Sequence, residues 1–185
     1  MANASENLNT TAPNEEAGLV LRLAMRFGVG VGLACALWMV GLQLAGSNGF
    51  GPKQLLAQLL VPLAAVASEW MLRRRLQPNR PGLGRSLGVG TLTVLIAALI
   101  SASSLVGLAH GAGEPALARH RAEVLEIVRA QQRENPKAQL SEKAQQQQIR
   151  NVANLNIGDM AISNFTQVLL LGFVLAIPAG IFLRE

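Results

Sequence analysis

Glu69 is the only acid inside an apolar run, the stretch LLAQLLVPLAAVASEWML from Leu55 to Leu72. An ionisable group at membrane depth is by default a candidate site for a proton, a cation or a substrate. A basic residue, Arg73, follows one turn later, in the acid-first i,i+4 order that favours a helical ion pair. The spacing therefore predicts a structural pair, Glu69 with Arg73, near the end of the run, where long side chains reach water easily.

Other residues offer less chemistry. His110 and His120 have no Cys, Asp or further His at ligand spacing, so no metal site is expected. No nucleophile–base pair, HExxH or phosphate loop occurs. Ser101, Ser103 and Ser104 have no histidine or lysine placed to activate them. GVGVG (Gly28 to Gly32) lacks the third glycine of a dinucleotide turn, because Leu33 stands in its place, and the flanking strand and acid are missing too. The single Cys35 excludes an internal disulfide and reads as a small buried residue. The sequence predicts neither an enzyme nor a cofactor.

The elements around Glu69 explain its company. The chain has 185 residues, only 15% of them charged, against about 25% in soluble domains. Its net charge of +5 invites a nucleic-acid reading, but tyrosine is absent and aromatics total 4%, which leaves almost no stacking platform. Four apolar runs occur instead: Phe27 to Ala45, Leu55 to Leu72, Leu87 to Ala109 and Phe165 to Leu183. The first is uncharged, and at 1.5 Å per residue it spans a hydrocarbon core of roughly 30 Å. LAGS at 44–47 matches a signal-peptide cleavage site. The polar lead-in and the length of the run favour an uncleaved anchor.

Arginine placement predicts the threading. Arg73, Arg74, Arg75, Arg80 and Arg85 crowd the connection between the second and third runs, whereas the first connection holds only Lys53. Arg22 and Arg26 precede the first run and Arg184 follows the last. Four crossings with both termini in the cytoplasm put all these arginines on one side, as the positive-inside rule requires.

The predicted fold is all-α: a polytopic membrane protein of four transmembrane helices with a helical hairpin insert between helices 3 and 4. Residues 1–17 form a disordered cytoplasmic tail, 18–110 hold helices 1–3, 111–161 are the polar insert and 162–185 are helix 4. In the insert, Pro115 suits a first helical turn, Pro136 an interruption and Ser141 an N-cap. Asn-x-Ser/Thr matches occur at Asn3, Asn9 and Asn164. Small residues four apart, Gly28 with Gly32 and Gly172 with Ala176 and Gly180, predict close helix packing. Gly84/Gly88 and Gly107/Gly111 repeat the spacing.

The segment from GRSLGVGTLTVLIAALISASSLVGLA, through LARHRAEVLEIVRAQQRENPKAQLSEKAQQQQIRN, to LLLGFVLAIPAGIFLRE resembles the domain-of-unknown-function 4199 family of small bacterial membrane proteins. The resemblance covers roughly residues 20–185. It implies four spans, a charged helical insert before the last one and a basic C-terminus. The family has no established activity, so no site residue carries over. The expected function is a non-enzymatic structural or interaction component of the bacterial inner membrane. The alternative is a small transporter or channel subunit using Glu69. Expected partners are the lipid bilayer and either a second copy or another membrane protein, with no nucleic acid.

Overall fold

The computed structural model describes residues 3–78, 81–134 and 142–183, with side chains over 16–78, 81–134 and 143–183. Helix α1 (Asn3–Leu44) leads through a loop and a 3-10 turn (Pro52–Gln54) into α2 (Leu55–Gln58) and α3 (Leu60–Leu76). Then follow α4 (Leu83–Glu134), α5 (Glu142–Ala153) and α6 (Ile157–Phe182). Four stretches are long and apolar enough to cross a membrane: Glu16–Leu44, Pro52–Leu76, Leu83–Glu134 and Ile157–Phe182. The protein is an all-α polytopic membrane protein. Its second crossing is assembled from the 3-10 turn, α2 and α3, which carries the chain through Pro62 without a long continuous helix.

Side chains are sorted for lipid rather than for water. Leu37 is 73% exposed, whereas Thr93 and Ser101 are wholly buried. A soluble bundle reverses that order. With no hydrophobic drive between helices in lipid, small residues and hydrogen bonds hold the contacts. α4 is the shared partner, packing against α1, α3 and α6. The core forms three layers. Leu23, Leu72 and Val89 fill the arginine-rich end, Val61, Ala65, Val94 and Val168 the middle, and Met39, Leu105 and Met160 the far end.

Glycines set the close approaches. A Cβ at Gly28 would stand 2.8 Å from that of Ile96, and one at Gly32 would stand 2.9 Å from that of Ile100. Gly172 faces Val94, Gly180 faces Leu87, and Ala176 between them is buried. The other two pairs differ from expectation. A Cβ at Gly84, Gly88, Gly107 or Gly111 meets nothing within 4 Å, so these glycines lie off the helix contacts despite the same spacing.

Three further differences concern helix boundaries. α1 already runs at Asn3, where the sequence predicts a disordered tail over 1–17. Extending a formed apolar helix avoids the costly nucleation step. α4 has 52 residues, about 78 Å of helix, so the first arm of the predicted hairpin continues the third span. Gly113 (φ 72°, ψ −178°) bends it, a conformation glycine adopts without a Cβ penalty, and Pro115 restarts the helix just beyond. α6 starts at Ile157, ahead of 162, because Asn156 and Asp159 form a reciprocal cap, with the Asp159 amide donating to Asn156 Oδ1 at 2.9 Å. The hairpin itself is present, with Gln132 donating to Gln148 at 3.4 Å between its arms. Arg80, Pro136, Ser141 and Arg184 lie outside the described residues.

Candidate functional site

Glu69 is 0% exposed, and neither carboxylate oxygen has a hydrogen-bond partner. The predicted pair with Arg73 is not formed. α3 turns Glu69 toward α4, where Gly90 has no side chain and leaves a slot; a Cβ there would collide with Glu69 Oε1. Arg73, one turn nearer the helix end, stays half-exposed, because a guanidinium is held more cheaply in the wet interface than in the bundle. Arg74 lies over the Trp70 ring at 4.3 Å, Arg75 is exposed, and Arg85 pairs with Glu16. The described arginines of the predicted cytoplasmic group therefore sit together at one end.

Small hydroxyls accompany Glu69. Ser68 Oγ donates to the Ala65 carbonyl at 2.6 Å. Thr93 Oγ1 shares its single proton between Ser68 Oγ at 3.0 Å and the Val89 carbonyl at 2.8 Å. Ser86, one turn before Gly90 on α4, is wholly buried with no partner for its hydroxyl. Gln58, toward the other end, is 1% exposed, and both polar atoms of its amide are unpartnered. Orphaned polar groups of this kind are rare in folded proteins, and each calls for a physical explanation.

At the far end the polar groups are satisfied. Ser101 donates to Asn164 Oδ1 at 2.9 Å, Asn164 donates to Gln54 Oε1 at 3.1 Å, and Gln54 donates to the Phe50 carbonyl at 3.3 Å. Asn164 is thus buried in the bundle, which excludes it as a glycosylation acceptor. Gln54, His120, Ser163, Asn164 and Gln167 share a cavity of about 250 Å³. A loop closes over it: Asn48 donates to Glu123 at 2.6 Å and to His120 Nδ1 at 3.0 Å, and Phe50 meets the His120 ring edge-on. The bond to Nδ1 requires that nitrogen to be unprotonated. His120 lies beyond the Gly113 bend, outside the apolar span. Burial lowers its pKa below the ordinary histidine value; Glu123 opposes the shift and Arg121 adds to it.

Sequence reasoning missed this network. Gln54, Gln58 and Glu69 fall on one helical face of the second crossing, and that register was its available signal. Asn164 carried a misleading one, its Asn-x-Thr match. Two tryptophans frame the span: Trp70 with Arg74 at the arginine-rich end, and Trp38, which donates to the Lys53 carbonyl at 3.0 Å, at the other. Residues 53 and 70 stand about 26 Å apart along an α-helix, close to the hydrocarbon thickness. No curated protein and no solved structure matches the chain. A family model described as a protein of unknown function, DUF4199, matches residues 26–185, and the chain belongs to that family.

Proposed function

We propose that this is a small proton-conducting membrane transporter or channel subunit, not an enzyme, in which Glu69 binds and releases the proton. The observation that carries the reading is the buried, unpartnered carboxyl of Glu69 between α3 and α4. An isolated carboxylate anion in such surroundings costs far more than the neutral acid. A group that rests neutral and ionises only when solvent or a partner reaches it suits proton transfer. Its membrane is the bacterial inner membrane, with the arginine-rich end and both termini in the cytoplasm, as the arginine placement supports.

A second reading is a structural or interaction component that presents the hairpin of α4 and α5. The hairpin beyond the membrane favours it. The two readings separate on one residue. The full chain in liposomes, driven by a potassium diffusion potential, acidifies the lumen if it conducts protons. Glu69→Gln abolishes that flux, because an amide exchanges no proton, and a lipid-soluble carbodiimide, which attacks protonated carboxyls, labels Glu69 in the native chain. Equal flux in both forms, or no labelling, overturns the proton reading.

A further inference from the structure

The two buried side chains of the second crossing with no polar partner lie in line. Glu69 follows Gln58 by about three helical turns, with an offset of about 20° at roughly 100° per residue. Both point into the bundle, and about 16 Å of helix separates them. Gln54, one turn before Gln58, lines the far-end cavity of about 250 Å³. Liquid water takes about 30 Å³ per molecule, so the cavity has room for several. Between Gln58 and Glu69 the same face carries Val61 and Ala65, opposed by Val94, Ala97 and Val168 from α4 and α6. On the other side of Glu69, Ser86 supplies a third orphaned polar side chain near the arginine-rich end.

A line of this shape has a physical reading. An amide both donates and accepts, so Gln58 can anchor a chain of waters in either polarity. Its hydrogen-bonding positions are unused in the closed bundle, which costs stability without serving the packing. The apolar stretch that follows is too dry to carry a proton at rest. Hydrophobic constrictions of this type gate by wetting and drying. Several of its side chains are small, Ala65 and Ala97 among them, so a modest separation of α3 from α4 admits water.

We infer that the far-end cavity is the outer vestibule for Glu69, that Gln58 anchors the waters that carry protons from it, and that the layer of Val61, Ala65 and Ala97 is a hydrophobic gate between the two. The inference rests on Glu69 being the proton site. Protons enter past Gln54 and Asn164, pass Gln58 into a transient water file, and reach Glu69, which discharges past Ser86 at the arginine-rich end.

The test uses the full chain in liposomes, with proton flux driven from the far end and carbodiimide labelling of Glu69 as an independent readout. Gln58→Leu should lower flux about tenfold, the effect of losing one hydrogen bond to the water file, while detergent-solubilised protein still labels at Glu69. Ala65→Ser should raise flux, because a hydroxyl in the dry layer stabilises water there; this gain does not depend on Gln58→Leu folding well. Normal labelling with native flux in both variants overturns the route and leaves the Glu69 reading standing. Loss of labelling in the native chain overturns the Glu69 reading itself, and the route with it.

Discussion

Gly172→Ala isolates how α6 is seated on α4. A Cβ added at Gly172 would fall against both methyls of Val94 and 3.0 Å from its Cβ. Val94 is wholly buried, and a β-branched side chain in a helix has one strongly preferred rotamer, so it has nowhere to turn. Restoring ordinary contact at about 3.5–4.0 Å requires α6 to retreat by about 1 Å. Overpacking of this kind costs about 1–3 kcal/mol. For a chain of this length each kcal/mol shifts Tm by about 2–4 °C, which gives a fall of about 2–12 °C. Gly180→Ala is the graded control: its new methyl meets Leu87 Cδ2 at 2.5 Å, the free end of a flexible side chain, so the loss is smaller. Gly107→Ala meets nothing within 4 Å and should be neutral or stabilising by up to about 1 kcal/mol through helix propensity. Thermal denaturation in one detergent ranks the three. If Gly172→Ala melts with Gly107→Ala, α6 does not rest on α4 through this face.

Three further outcomes are expected. Asn164→Leu leaves Ser101 and Gln54 without their partner and costs about 1–3 kcal/mol in the same melting assay; a native Tm would mean that the network adds nothing. Reporter fusions after Leu76 and after the C-terminus read the same side, and a fusion after Glu134 the opposite one; a shared side for all three contradicts four crossings. Burial favours neutral His120, so docking of the 46–51 loop is at full strength above a pH of about 6.5. It weakens as pH falls through that value toward the lower pKa of the folded state. Hydrogen-exchange protection at 46–51, taken relative to the intrinsic base-catalysed rate at each pH, should fall at acid pH in the native chain and lose this dependence in His120→Phe; equal protection profiles would refute the link.

Much of the fold was legible because lipid imposes a simple rule. Uncharged runs of membrane length have no other stable home, and the arginines between the second and third runs sort the ends. The bend at Gly113 was half legible: Pro115 announced a new helix, but its continuity with the third span depends on one positive φ that no residue pattern states. The site was less readable. Glu69 stood out by type, yet the i,i+4 rule promised it Arg73. Helical spacing fixes which residues share a face and says nothing of what a neighbouring helix offers. Gly90, on α4, supplied the slot that drew the carboxyl inward. Gln58 and Asn164 were hidden for a related reason. A single polar residue in an apolar run gains meaning only when the opposite helices are known.

The central placement of α4 has a consequence for how this chain tolerates mutation. A substitution on the outer face of α1 or α6 answers to lipid alone, which accepts almost any apolar side chain. A substitution on α4 answers to three neighbours at once: Ile96 and Ile100 meet the glycines of α1, Val94 and Leu87 meet those of α6, and Gly90 leaves room for Glu69 of α3. In a library of single variants selected for folded protein, survivors should thin out sharply between residues 86 and 105 and spread freely over the lipid-facing positions of the flanking helices. The helix with the most extensive contacts is the one least free to drift.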